Sequence, residues 1–323
     1  MNWRVKGLIQ RALASVPGGV QMNDWMQRSV GGLRDFNGTI ETKVVSDWLV
    51  LVTHMNELGI GTQGLDFLEV GTGWIPVLPV CFSLSGASSC TTVDVVRHMN
   101  PKLTFRMLDR LEGYLPRIAA ASQRPLELVQ SEYRELRSAP TLAAMLERAR
   151  IRYLSPADAR TTGLDPSSID VAFSNNVFEH VPREILNGIL RESHRILRPG
   201  GVSIHSANCA DHYAYFDRRI TFLNYLTYSE RDWQFWNNKL QYQNRLRPQD
   251  YVDIAVQSGL EVKLCKMRTR PELLAVLPTM RIAPEFKKYN ADQLCSTSIL
   301  MAGVRPADPL SLFPTATSAE SRN

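Results

Sequence analysis

From Leu65 onward the chain alternates short apolar runs with stretches of helical spacing, and this alternation constrains the fold more than any other feature. LDFLEV (65–70), CTTVDVV (90–96), IRYLS (151–155), IDVAFSN (169–175) and GVSIHSA (201–207) have strand length and are rich in β-branched and aromatic residues. Between them, WIPVLPVCFSL (74–84) and PREILNGILRESHRIL (182–197) read as helices. Helices that carry the chain from one strand to the next predict an α/β fold with a doubly wound parallel sheet. RPQDYVDIAVQSG (247–259) adds a helix, and GLEVKLCKM (259–267) and LCSTSILMAGV (294–304) read as an antiparallel pair closing a mostly parallel, seven-stranded sheet.

The flanking segments differ in character. Residues 1–60 read as an N-terminal helical cap. Trp3, Val5, Leu8, Ile9, Leu13 and Val16 recur at helical steps before the stop Pro17-Gly18-Gly19. Trp25, Met26 and Val30 suggest a second short helix, and a third runs from about Thr42 to Leu58. The first helix is basic and amphipathic, so it either docks on the main domain (61–303) or lies against a membrane surface. Within that domain, about 101–150 reads as a helical insertion and 208–247 as an unusually aromatic, polar segment. Residues 304–323 have the Pro/Ser/Thr bias of a frayed tail.

Composition excludes several classes. No apolar run reaches the roughly 20 residues of a membrane helix, and Arg, Lys and Gln interrupt the start too often for a secretory signal. The net charge of +5 is spread along the chain, so a nucleic-acid partner is not expected. Cys81, Cys90, Cys209, Cys265 and Cys295 are odd in number and lack a CxxC pair, which argues for buried thiols in a reducing cytoplasm, with no disulfide framework and no metal site.

The chemistry-bearing residues begin at Leu68-Glu69-Val70-Gly71-Thr72-Gly73-Trp74, a strand entering a glycine turn and then a helix. Glycines there let backbone approach a ligand, and the helix start offers free N–H groups. Asp94, at the end of the second strand, suits two ribose hydroxyls. A dinucleotide fingerprint would place a third glycine where Pro76 stands, which argues against a nicotinamide enzyme. Further along come Asp158 in SPADA, the run SNNVFEHV (Ser174–Val181) and HRILRPGGV (His194–Val202).

In order and spacing these motifs resemble class I S-adenosylmethionine-dependent methyltransferases over roughly residues 65–207. EVGTGWIPVLP, DHYAYFD (211–217), YQNRLRPQDY (242–251) and the opening VKGLIQRALASVPGG resemble a bacterial subgroup often associated with surface-glycan or small-metabolite gene sets. The resemblance implies a Rossmann-like methyltransferase fold with an N-terminal helical extension and helical insertions, and S-adenosyl-L-methionine as cofactor. Gly71, Thr72 and Gly73 would then pass close to the methionine and ribose, with Glu69 orienting the loop. Asp94 would take the ribose hydroxyls, Asp158 with the Ala159 backbone would meet the adenine, and Asn175, Asn176 and Val177 would line the cofactor beneath the methyl. Asn175 and Asn176 would equally serve as helix caps. Ile75, where many relatives carry a third glycine, is expected to make the loop bulkier.

A sulfonium methyl is already activated, so transfer chiefly needs an aligned acceptor, and an alcohol acceptor must also lose a proton. The candidate bases, in order of preference, are His212 with its neighbour Asp211, then His180, then His205. The segment 208–247 reads as a substrate lid whose aromatics suit sugar rings and whose five arginines suit carboxylate or phosphate. The expected activity is methyl transfer to a hydroxyl of a small molecule or glycan precursor. The alternatives are an RNA or tRNA methyltransferase and a non-catalytic cofactor-binding scaffold.

Overall fold

The computed structural model describes residues 2–16 and 35–307; the stop at Pro17-Gly18-Gly19, the helix expected around Trp25 and the tail from 308 lie outside them. Seven strands form one sheet: β1 (Asp66–Val70), β2 (Ser89–Val93), β3 (Ile151–Leu154), β4 (Ile169–Asn175), β5 (Leu197–Asn208), β6 (Glu261–Thr269) and β7 (Ser296–Val304). Their order is β3-β2-β1-β4-β5-β7-β6. The first five pair in parallel, and β7 runs antiparallel to both β5 and β6, so the closing antiparallel pair is present. The order reverses between β1 and β4, and in such sheets ligands bind outside the carboxyl ends of the strands at that point.

Helices cover both faces, which is why the central strands read as near-continuous apolar runs. On one face Phe67 stacks on Phe82 with ring centroids 4.3 Å apart, and Phe173 and Trp48 pack around them. The region 101–150 folds as four helices, Pro101–Leu111, Leu115–Ser122, Leu126–Arg137 and Leu142–Arg148. They join this same core through Met107, Leu111, Ile118, Val129 and Met145. On the other face the helices Arg183–Ile196 and Pro248–Gln257 bury Leu186, Leu190 and Ile254 against Leu68 and Val70.

The expected 42–58 helix is longer and irregular. It starts at Phe36–Glu41, passes through a π-helical stretch at Thr42–Trp48 and ends as Leu49–Glu57. Such widened turns often occur at functional sites; here the widened stretch supplies Asp47, which accepts from Asn175 at the end of β4 (2.7 Å). The first helix, Trp3–Ala14, docks on the protein through its indole. Trp3 packs among Tyr213, Tyr228, Trp233 and Trp236, and its backbone N–H donates to Asp217 (3.0 Å). Val5, Leu8 and Ile9 stay exposed on its outer side. Among the described residues no helix is long and apolar enough to cross a membrane.

Candidate cofactor and acceptor site

Beyond β1 the chain turns through Gly71 (φ +83°) and Gly73 (φ +71°), a left-handed conformation that side chains disfavour. A methyl group added at Gly71 would lie 2.6 Å from Val177 Cγ2, so the turn packs tightly on the segment after β4. At Gly73 nothing lies within 4 Å of that position, so its Cα faces open space. Asp94 Oδ2 accepts from the Gly73 N–H (3.1 Å) and the Tyr153 hydroxyl (3.2 Å), and burial raises its carboxyl to about 6. The β1 turn and the acid after β2 therefore meet.

Glu69 is buried beneath this turn. It accepts from the Thr92 hydroxyl (2.9 Å), while the Thr72 hydroxyl stands near the carboxylate without completing a hydrogen bond. Burial raises Glu69 from its usual 4.5 to about 7. A raised folded-state value favours folding fully only below 4.5, and that contribution is lost as pH rises through about 7, to the extent of about 3 kcal/mol. Glu69→Gln cannot ionise, so the ligand-free variant should melt above wild type at pH 8 and level with it at pH 4. Equal melting at pH 8 would mean that the carboxylate is better solvated than its burial implies.

The carboxyl end of β4 supplies the expected trio. Asn175 is fully engaged, donating to Asp47 and accepting from the Ser206 hydroxyl (2.7 Å). Asn176 adopts φ +52°, which asparagine tolerates better than most residues, and lines a cavity of about 420 Å³ with Asp35, Thr42, Lys43 and Asp47. Val177 abuts Gly71. After β3, Ala159 is buried, whereas Asp158 is half-exposed and gripped by the Arg160 guanidinium (2.6 Å). The expectation for Ile75 is corrected: its side chain turns into the hydrophobic core, so it adds no bulk on the ligand side of the loop.

The candidate bases separate clearly. His205 sits inside the sheet between the hydroxyls of Ser174 (2.8 Å) and Ser203 (2.6 Å), stacked on Phe178, and burial lowers it to about 3. Asp211 is also sealed, accepting from the Tyr213 N–H (2.8 Å) and the Asn224 amide (2.8 Å). It caps a 3-10 turn and does not orient His212. His180 and His212, by contrast, come together, with ring centroids 5.1 Å apart. Burial lowers His212 to about 3, and its Nε2 has no hydrogen-bond partner. Glu179 joins them, a residue within the SNNVFEHV run that sequence reasoning passed over. It is 1% exposed, and burial raises it to about 8. The Glu-His step itself was the available signal.

Residues 119–205 match the family model described as a methyltransferase domain. That match covers β3, β4 and most of β5, and the glycine turn and Asp94 corner precede it in the same sheet. The part of the chain from β3 into β5 is thus similar to a methyltransferase domain. No curated protein matches the chain. Solved structures with a similar outline include an S-adenosylmethionine-dependent methyltransferase from Mesorhizobium loti, at 15% identity, 78% coverage of this chain, 96% of that one and TM-score 0.43. Others are a putative sarcosine dimethylglycine methyltransferase from Galdieria sulphuraria (16%, 80% and 84%, TM-score 0.42) and a geranyl diphosphate C-methyltransferase from Streptomyces coelicolor (12%, 84% and 83%, TM-score 0.45). At these values the likenesses say nothing about the acceptor.

The aromatic segment 208–247 is largely spent on packing. Tyr213, Tyr225 and Trp233 are buried with Trp3 in a separate core, leaving Tyr215, Phe216 and Phe235 exposed. Three of its arginines are equally committed: Arg219 pairs with Asp217, Arg245 with Glu230, and Arg247 is fully buried among backbone carbonyls. A second cavity, about 300 Å³, lies between this segment and the helix Arg183–Ile196, lined by Arg183, Glu230, Tyr242, Gln243 and Asn244. It adjoins the imidazole pair, because His180 Nδ1 bonds the Tyr242 carbonyl (2.8 Å) and the backbone N–H of His212 donates to Gln243 Oε1 (3.1 Å).

Proposed function

We propose that this protein is an S-adenosylmethionine-dependent methyltransferase that transfers a methyl group to a hydroxyl oxygen of a small molecule or glycan precursor, with the acceptor oxygen activated at the His180–His212 pair. The observation that carries this reading is the pairing of two imidazoles just beyond Val177, which itself abuts the cofactor turn. When bound, S-adenosylmethionine supplies an electrophilic methyl on a sulfonium. Gly71 and Gly73 let the backbone approach it, Asp94 accepts from the ribose hydroxyls, and Asn176 and Val177 form the floor below the methyl. In this reading Asp158 turns from Arg160 towards the adenine amino group, with Ala159 beside it, while Glu69 and Thr72 hold the turn. Residues 208–247 act as a lid over an acceptor that enters through the cavities flanking β4. The open space at Gly73 favours this over a scaffold with a filled pocket.

Calorimetry with S-adenosylhomocysteine tests the cofactor half. Asp94→Asn should weaken binding by about 10- to 100-fold, as expected for loss of a charged acceptor to paired hydroxyls. Because the ionised carboxylate is the better acceptor and its value lies near 6, wild-type affinity should fall as pH drops below 6 and level off above 7. The Asn variant should show no such slope. A screen of sugars, small metabolites and RNA with labelled methyl donor then tests the acceptor half. Label found only in RNA would overturn the small-molecule reading.

A further inference from the structure

We propose that Glu179, His180 and His212 form a binding site for a divalent transition-metal ion, which holds the acceptor hydroxyl beside the cofactor. The inference rests on the reading that this cluster faces the acceptor, and it departs from the metal-free expectation drawn from the cysteines. One potential ligand atom from each residue lies within 4.8 Å of the other two. Around a tetrahedral ion with bonds of about 2.1 Å the ligand atoms sit about 3.4 Å apart, so side-chain shifts of roughly 1 Å close the site.

Three independent features point at an ion. Glu179 is 1% exposed, its Oε2 has no hydrogen-bond partner, and His212 Nε2 is likewise buried without one. Unpaired buried polar atoms are costly, and each of these two is an acceptor with a free lone pair in its metal-binding form. At His180, Nδ1 faces the Tyr242 carbonyl, which can only accept, so that nitrogen carries the proton and the lone pair is left on Nε2. A ring N–H given to a backbone carbonyl is the usual outer support of a metal-bound histidine. Finally, two imidazoles on one tetrahedral ion place their ring centres about 5.2 Å apart, taking about 2.1 Å to the nitrogen and about 1.1 Å to the ring centre. The observed separation is 5.1 Å.

Two imidazoles and one carboxylate are a mixed nitrogen and oxygen set, suited to zinc, iron, manganese or cobalt more than to magnesium or calcium. Three protein ligands leave positions open, and His180 is exposed, so an acceptor oxygen has access. Bound there, the hydroxyl gives its proton to water, and the oxygen lone pair forms the new bond to the methyl carbon. The sulfur–methyl bond breaks with its electron pair passing to sulfur, leaving neutral S-adenosylhomocysteine and the methyl ether.

Metal-stripped full-length protein titrated with Co²⁺ reads the site directly through its visible ligand-field absorption. One equivalent should bind wild type, with nitrogen-ligated bands. Glu179→Gln and His212→Ala should each weaken Co²⁺ binding at least 10-fold, while His54→Ala, away from the cluster, leaves it unchanged. S-adenosylhomocysteine affinity should stay within about 3-fold in all variants. Folded wild type that takes up no stoichiometric Co²⁺, or variants that bind it as tightly, would overturn the metal site while leaving the methyltransferase reading intact. Co²⁺ bound with no S-adenosylhomocysteine binding would instead sink the acceptor role and keep the site. Zn²⁺ competition for the same equivalent separates a true ligand set from surface adsorption, which would overturn it.

Discussion

Gly71→Ala is expected to lose S-adenosylhomocysteine binding by more than 100-fold and to lose about 2–5 kcal/mol of stability. Two costs combine. The backbone sits at φ +83°, where an L side chain costs roughly 1–2 kcal/mol. The new methyl would also stand 2.6 Å from Val177 Cγ2 and 3.0 Å from Cγ1, and overpacking of that kind costs roughly 1–3 kcal/mol. Relief comes only if the turn or the segment after β4 moves, and in the proposed reading both border the cofactor. Gly73→Ala separates the effects: its φ is +71° but no atom lies within 4 Å, so it should cost only the backbone part in stability while still obstructing the ligand. Adding Val177→Ala to Gly71→Ala should recover part of the stability loss. A double variant no more stable than Gly71→Ala alone would show that the clash is not the cause. Urea melts with calorimetry on all four proteins read both quantities.

Arg247→Met should cost about 3–5 kcal/mol and lower the melting temperature by roughly 10 °C. The guanidinium is fully buried, and its hydrogen-bond partners among the described residues are carbonyls and a hydroxyl, with no carboxylate. Its Nη1 donates to the Cys209 carbonyl (2.8 Å) and the Tyr225 hydroxyl (2.8 Å), its Nε to the Gln293 carbonyl (3.1 Å), and its Nη2 to the carbonyls of Leu294 (3.0 Å) and Ser296. One planar fork thus ties the end of β5 to the start of β7 and to the turn at Tyr225. Removing it strands several buried acceptors, and Lys, with one nitrogen, cannot reach them all. Arg247→Lys should therefore be nearly as unstable as Arg247→Met. Because these bonds lie on the β5–β7 side, cofactor affinity of the folded fraction should change little. A Met variant as stable as wild type would mean that other donors satisfy those carbonyls.

The sheet was legible because its determinants are local. A strand covered on both faces carries apolar side chains on both, as Phe67, Leu68 and Val70 of β1 and Val171, Ala172 and Phe173 of β4 do, and a helix on one face must be apolar at three- and four-residue steps, as in REILNGILRESHRI. The glycine turn and Asp94 were legible for a related reason: a left-handed backbone beside a ligand needs glycine whatever surrounds it. The widened turn at Thr42–Trp48 was not, since it arises from Trp48 packing into the core while Asp47 reaches Asn175.

Side-chain employment was legible only in part. His205, Asp211 and His212 are close in sequence, and each carries a side chain capable of proton transfer. Yet the sheet seals the first between two serines and a turn consumes the second as a cap, leaving only the third beside His180. The arginines and aromatics of 208–247 read as substrate-facing, and most are taken by packing with Trp3 and one another and by buried backbone carbonyls. The sequence by itself determined the order of strands and helices, the turn at Gly71-Thr72-Gly73 and the acid after β2, because each follows from burial or backbone geometry within a few residues. Only the tertiary structure decided which polar groups remain unpartnered, and with them the Glu179–His180–His212 cluster. Whether a donor or acceptor is spent or free depends on partners that separate elements bring to it.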